Sequence, residues 1–140
     1  MDRMNSASRH IIAIGAALML LGVMLGAFGA HALKARLPSE MLAVYQTGVQ
    51  YHLIHALSLM LIGLLHNFQT DATSGPTANP ALLKVSAWLM GAGIVLFSGS
   101  LYTLAITGVT LLGAVTPIGG LCFIVAWALV VWQTVGAKSS

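Results

Sequence analysis

Three long stretches of this 140-residue chain contain no Asp, Glu, Lys or Arg. They comprise 24 residues (10–33), 30 residues (41–70) and 53 residues (85–137). A helix needs about 20 apolar residues, at about 1.5 Å of rise each, to cross about 30 Å of hydrocarbon. The pattern therefore predicts one membrane span in each of the first two stretches and two spans in the third.

The four predicted spans are 11–33, 41–65, 85–106 and 111–135, and a polar loop, 66–83, joins the second span to the third. Because lipid offers no partners to backbone groups, a span must be a helix or a strand of a closed barrel. Barrel strands would alternate apolar and polar residues over about ten positions, and the chain shows no such alternation. The prediction is an all-α integral membrane protein, a single domain that forms a four-transmembrane-helix bundle.

The composition supports this prediction and limits the kinds of partner that the protein can bind. Hydrophobic residues make up 58% of the chain and charged residues 6%, whereas charged residues make up about 25% of a soluble domain. This excludes a soluble fold, and it excludes disorder, which requires low hydrophobicity. The net charge of +3 comes from scattered basic residues and not from a basic face, so we expect the lipid bilayer, and no nucleic acid, as a partner.

The basic residues also predict the orientation. The side of the membrane that holds both termini carries four of them and the other side carries two, and an excess of Lys and Arg marks the cytoplasmic side. We therefore expect both termini in the cytoplasm. The two groups are Arg3, Arg9, Lys84 and Lys138 on the terminal side, and Lys34 and Arg36 on the other.

Small residues at helical spacing predict where the helices pack, since close contact of small side chains replaces the hydrophobic effect in lipid. The pattern leaves open whether they pack within one chain or between copies. The predicted packing positions are Gly22, Gly26, Gly29, Ala30, Gly99, Pro117, Gly119 and Gly120.

The fourth span has two possible starts. In the first, a helix runs from Leu111 and is kinked at Pro117, which cannot donate a hydrogen bond to the preceding turn. In the second, the helix starts at Pro117 with Thr116 as its N-cap, and 107–115 folds back at the surface or into the bundle. The sequence does not decide between them.

The first half of the second span is unusually polar for a membrane helix. At 100° per residue, Tyr45, Gly48, His52 and His55 fall within one stripe, and two glutamines lie on a different side. A helix that is polar on several sides must be surrounded by protein or lie partly outside the hydrocarbon. The candidate polar cluster consists of His31, Gln46, Gln50, Tyr51, His52, His55, Ser98, Ser100, Tyr102 and Thr116.

The depth of this segment depends on where the second span begins. If the span enters at Met41, His52 lies near the centre of the membrane and His31 stays near its surface. If 39–46 instead lies along the surface as a separate helix, His52 rises toward His31 and the two meet. We expect the second placement, because it leaves fewer polar groups in the hydrocarbon.

The histidines have three possible roles. They bind a metal or haem through His31, His52 and His55, they move protons or a substrate, or they form hydrogen bonds between helices. Two histidines three residues apart supply only half of a tetrahedral site, and proton relays usually include buried carboxylates, which the spans lack. We therefore expect no metal, no cofactor and hydrogen bonds between helices.

An enzyme is not expected either. The chain has no carboxylate pair, no glycine-rich phosphate loop ahead of a helix, and no Ser or Cys with a visible base and carboxylate.

Four motifs in order resemble the family called domain of unknown function 423: Gly26–Leu33, Gln46–Leu57, Phe97–Tyr102 and Thr116–Gly120. The likeness extends from about Gly15 to Trp132, and the long polar loop is its one visible departure. The resemblance implies a small multi-pass protein of the bacterial inner membrane. It implies no activity, because the family has no assigned catalytic or binding residues.

The expected function is therefore that of a non-enzymatic structural or accessory membrane component, which self-associates or joins a larger membrane complex. The alternative is a small transporter or channel that uses the intramembrane His, Gln and Tyr cluster.

Overall fold

The computed structural model describes residues 4–70 and 79–136, and within these ranges it contains four long helices and no strand. All four are long and apolar enough to cross a membrane, which confirms the all-α prediction. The helices are α1 (Ser6–Leu33, of which Gly29–Leu33 is a π-helical turn), α2 (Ser39–Thr70), α3 (Pro80–Thr107, with a π-helical turn at Ile94–Ser98) and α4 (Thr116–Gly136, preceded by a 3₁₀ turn at Thr110–Ala114).

Local signals in the sequence explain where three of the helix ends fall. The Asn5 side chain accepts a hydrogen bond from the backbone N–H of Ser8 at 2.8 Å and so caps α1, and Asn79 caps α3 in the same way, with Pro80 in the first turn. Side-chain caps of this kind satisfy donors that the first helical turn leaves free. Helix α3 ends where Gly108 adopts a left-handed conformation, with a φ of 72°.

The structure corrects the predicted polar loop. Residues 66–70 continue α2 and residues 80–83 begin α3, so both ends of the predicted loop are helical; its centre, 71–78, lies outside the described residues. The segment 66–83 is predicted as a loop because polar residues are frequent at both of its ends. Here those residues form hydrogen bonds instead: Ser8 Oγ lies 2.9 Å from His66 Nδ1, which ties the end of α2 to the start of α1.

The α-helical part of the fourth helix begins near the second of the two predicted starts, but the predicted N-cap is wrong, because the Thr116 hydroxyl pairs with that of Ser100 at 2.8 Å and not with a backbone N–H of the first turn. This part begins at Thr116, and the Val115 carbonyl accepts the N–H of Ile118 at 3.1 Å. The residues before it, Thr110–Ala114, form a 3₁₀ turn. Because Pro117 has no N–H, it fits only in the first turn of a regular helix.

Each helix packs mainly against its neighbours in the chain. Helix α1 lies along α2 and has little contact with α3 or α4, whereas α3 packs against both α2 and α4. The largest apolar core lies between α2, α3 and α4 and includes Leu59, Met90 and Phe123. The outer helices, α1 and α4, are mostly exposed, as expected for surfaces that face lipid.

Five of the predicted packing positions contact another helix. A Cβ at Gly22 or Gly26 would meet side chains of α2, and a Cβ at Gly29 would meet the Tyr45 ring. A Cβ at Gly119 would overlap the backbone of Phe97, and a Cβ at Gly120 would contact the ring of the same residue. The other three make no such contact within the chain. Ala30 and Pro117 are exposed, and a Cβ at Gly99 would meet no atom within 4 Å.

Candidate functional site: the polar core of helix α2

His52 connects three helices. Its ring is 2% exposed; Nε2 lies 2.9 Å from the backbone carbonyl of Leu18 on α1, and Nδ1 lies 3.2 Å from the Tyr102 hydroxyl on α3. A carbonyl only accepts, so Nε2 carries the hydrogen and donates it to Leu18. Nδ1 is then the acceptor, and the Tyr102 hydroxyl donates to it. In a neutral ring, the two partners thus select the tautomer with the hydrogen on Nε2.

Gly22 makes this contact possible. It lies one turn after Leu18 on α1, and a Cβ there would stand 3.1 Å from Cδ2 of His52 and 2.8 Å from a methyl group of Leu53. Without that Cβ, the two helices approach closely enough for a side chain of α2 to reach a backbone carbonyl of α1. Small residues serve this purpose in many membrane helix pairs.

Tyr45 extends the same stripe toward the N-terminus of α2. Its side chain is 1% exposed, and its hydroxyl donates to the Leu25 carbonyl at 2.9 Å. Its ring centre lies 4.9 Å from that of Tyr102, a normal distance for a favourable aromatic pair. Gly48 leaves room for Tyr102, because a Cβ there would lie 2.9 Å from the Tyr102 ring.

His55 connects α2 to α4. Its Nδ1 lies 2.8 Å from the Tyr51 carbonyl, so Nδ1 carries the hydrogen, and Nε2 accepts from the indole N–H of Trp127 at 3.3 Å. The ring is 5% exposed and stacks on Phe123 with 3.5 Å between ring centres. His55 therefore has the opposite tautomer to His52, and both nitrogens of each ring have partners.

We define the α2 polar core as Tyr45, His52, His55, Tyr102 and Trp127. The stripe predicted on α2, which consists of Tyr45, Gly48, His52 and His55, is buried at all four positions.

A second, smaller polar contact lies between α3 and α4, where the hydroxyls of Ser100 and Thr116 are 2.8 Å apart.

Ser98 belongs to neither group. It is fully buried at the end of the π-helical turn, and its hydroxyl has no hydrogen-bond partner among the described residues.

The other sequence-predicted members of the cluster lie outside this core. His31, Gln46, Gln50 and Tyr51 are exposed, although the Tyr51 ring packs on that of Phe97 at 4.5 Å. The expected meeting of His31 and His52 is wrong. Helix α2 is continuous from Ser39, so no separate surface helix forms. The His52 ring contacts Leu18 and lies beside Gly22 on α1, and His31 is nine residues beyond Gly22, or about 14 Å along the helix.

Several residues of the site were missing from the sequence-predicted cluster. Tyr45 was on the predicted stripe, and its position gave the only available signal. Trp127 offered no signal, since its indole N–H is one of several polar groups on an apolar helix. The backbone carbonyl of Leu18 has no sequence signature. The sequence predicts a loop at His66 and places its partner Ser8 ahead of the first span, and spacing does not reveal a buried contact between them.

The chemistry of the α2 polar core is hydrogen bonding between helices. Both ring nitrogens of His52 and of His55 have partners within the chain, so neither ring offers a free nitrogen to a metal. Within residues 4–70 and 79–136, no group of three or more His, Cys, Asp or Glu residues is placed to hold an ion. In the same ranges the one acidic residue is Glu40, which is exposed at the start of α2, so no carboxylate stands beside either histidine.

Comparison with known proteins agrees with the membrane fold. Residues 25–120 match the family model described as "Protein of unknown function (DUF423)". The chain is 48% identical over 120 residues to the UPF0382 membrane protein YwdK of Bacillus subtilis. The matched region covers 86% of this chain and 91% of that relative.

Two staphylococcal relatives are also named UPF0382 membrane proteins. Those of Staphylococcus haemolyticus and Staphylococcus epidermidis are 40% and 41% identical over 123 residues, with 88% of this chain and 93% of each relative covered. No solved structure matches the chain. With four helices able to span a membrane and a family match over most of its length, the chain belongs to the DUF423 family of membrane proteins.

Proposed function

We propose that this protein is a non-enzymatic accessory component of the bacterial inner membrane, with both termini in the cytoplasm. The α2 polar core holds the four helices together, and a second polar surface on α2 receives a membrane-spanning helix of another chain. That surface, which we call the amide face, consists of Gln46 and Gln50. Its partner is a second copy of this chain or a subunit of a larger complex.

The state of the two buried histidines supports a structural role for the core. His52 and His55 each use both ring nitrogens for contacts within the chain. A transporter or proton relay needs a group that changes partners or protonation during its cycle. A completed set of hydrogen bonds between α1, α2, α3 and α4 instead fixes how the helices pack.

The depth of the amide face carries the proposal of a partner. The apolar C-terminal half of α2 ends at His66. Gln46 lies 20 residues before His66, which corresponds to about 30 Å of helix. That distance equals the thickness of the hydrocarbon. Gln46 therefore lies at the boundary, and Gln50, one turn further in, lies about 6 Å inside it.

An exposed amide at this depth is unfavourable. Each polar group without a partner in hydrocarbon costs several kcal/mol, and the amide of Gln50 is exposed on the surface of the single chain. Side-chain amides form hydrogen bonds between helices in membranes. A helix of another chain that covers Gln46 and Gln50 would remove this cost.

The test is cross-linking of the protein in native membranes, with and without the double substitution Gln46→Leu and Gln50→Leu. The matched control is Thr134→Val, which also removes an exposed polar group, but one whose hydroxyl donates to its own helix at the Val131 carbonyl. We expect the double variant to lose the cross-linked species and the control to retain it. A double variant that cross-links like the wild type would contradict the proposed partner surface.

A further inference from the structure

A long groove separates α1 from α3. The two helices have little contact with each other, and the space between them is a cavity of about 770 Å³ that is open on one side. Its floor includes Leu59 and Ala87, and its walls are apolar along most of their length. Gly91 lies on the α3 wall, where a Cβ would meet no atom within 4 Å, so the groove is empty at that point.

The groove is as deep as one leaflet of a bilayer. It extends along α1 from Ala7 to Leu18 and along α3 from Lys84 to Leu96, which corresponds to about 16 Å and about 18 Å of helix. Half of the hydrocarbon thickness is about 15 Å. A groove of this length that begins at the membrane surface ends near the midplane.

One end of the groove is polar and basic. Lys84 and His10 both line it at the end where α1 and α3 begin, and both are exposed. The His10 ring is held in place by its Nδ1–H, which donates to the Ser6 carbonyl at 2.6 Å. Trp88, which is 81% exposed, lies one turn from Lys84 on the groove wall. Tryptophan at this depth is typical of the boundary between hydrocarbon and headgroups.

From these three observations we infer that the groove binds an anionic phospholipid of the surrounding bilayer. The hydrocarbon chain lies along the apolar walls, and the phosphate lies beside Lys84 and His10. Basic pockets between membrane helices bind anionic headgroups in this way. This site is separate from the amide face on α2, so the inference stands or falls independently of the proposed partner.

The length of the groove favours lipid over a protein helix. A helix that crosses the membrane must follow about 30 Å of hydrocarbon, whereas the groove extends along only about 16 to 18 Å of α1 and α3. One acyl chain of a lipid extends over about half of that thickness and places its headgroup at the basic end of the groove.

The experiment is native mass spectrometry of the purified full chain in mild detergent, titrated with phosphatidylglycerol or with phosphatidylcholine of the same chain length. Two variants change the site: Lys84→Gln removes the charge, and Gly91→Leu fills the groove. Each has a matched control. Lys34→Gln removes a charge at the other end of the protein, and Gly99→Leu adds the same side chain at an open position of α3 outside the groove.

We expect the wild type to retain phosphatidylglycerol more tightly than phosphatidylcholine. Lys84→Gln should weaken phosphatidylglycerol binding about fivefold, the equivalent of about 1 kcal/mol for one surface cation, and Gly91→Leu should abolish retention of both lipids. Both controls should behave like the wild type.

Three results would overturn the inference. They are equal retention of the two lipids by the wild type, retention by Gly91→Leu equal to that of Gly99→Leu, and conversion of an oligomer to monomers by Gly91→Leu with no change in bound lipid. The last result would identify the groove as a contact between copies.

Discussion

Replacement of His52 by Leu tests the structural role of the α2 polar core. Leucine has a similar volume to histidine and fits an apolar helix contact, but it cannot form hydrogen bonds. The variant loses the bond from Nε2 to the Leu18 carbonyl and the bond from the Tyr102 hydroxyl to Nδ1. Hydrogen bonds between membrane helices contribute about 0.6 kcal/mol on average and up to about 1.7 kcal/mol. The two bonds together therefore predict a loss of about 1 to 3 kcal/mol in the free energy of unfolding.

The assay is reversible unfolding in mixed micelles, in which a denaturing detergent is increased stepwise and helix content is followed by circular dichroism. The control is Gln46→Leu, which makes the same kind of change at an exposed position of the same helix. We expect the control to unfold like the wild type when the protein is monomeric. A double-mutant cycle of His52→Leu with Tyr102→Phe should give a coupling energy of about 0.5 to 1.7 kcal/mol, since both substitutions remove the same bond.

Two outcomes would refute a structural role for His52. If His52→Leu unfolds like the wild type while a transport activity of the reconstituted protein is lost, the histidine does not stabilise the fold and the transporter alternative gains support. A control variant that is as unstable as His52→Leu would also refute the reasoning, because buried and exposed polar groups on α2 would then be equivalent.

Three further substitutions extend the test to other helix contacts. Trp127→Phe removes the indole N–H that His55 accepts and should lower the free energy of unfolding by about 1 kcal/mol; no change in the same titration would show that this bond does not hold α4. Gly119→Ala places a Cβ against the backbone of Phe97 and should destabilise the protein by about 1 to 3 kcal/mol, whereas Gly99→Ala, which meets no atom within 4 Å, should be neutral or slightly stabilising; equal melting temperatures would contradict this packing. Ser8→Ala removes the buried contact with His66 and should cost about 1 kcal/mol, while Ser6→Ala at an exposed position should not, as measured by thermal melting in detergent.

The sequence was enough to predict the four spans, because ionised side chains are too costly to place in hydrocarbon and their absence is easily counted. It also predicted that Tyr45, Gly48, His52 and His55 share one side of α2, because helix geometry fixes that relation. Both predictions depend on local spacing alone.

The remaining features depend on contacts between distant parts of the chain. The partner of His52 on α1 is a backbone carbonyl, and every residue has one, so no residue type marks Leu18. His66, near the end of α2, contacts Ser8, which is 58 residues away in the chain, and spacing does not reveal such a contact. The groove between α1 and α3 exists because α1 packs along α2 alone, a consequence of how whole helices are arranged.

The most direct test of the account is a nitrogen NMR spectrum of the two histidine side chains in lipid bilayers. The ¹⁵N chemical shifts of Nδ1 and Nε2 report which nitrogen carries the hydrogen. The structure predicts two neutral rings with opposite tautomers: the hydrogen is on Nε2 in His52, where it is donated to Leu18, and on Nδ1 in His55, where it is donated to Tyr51. Rings that share one tautomer, or that exchange between forms, would contradict a polar core held by hydrogen bonds within the chain.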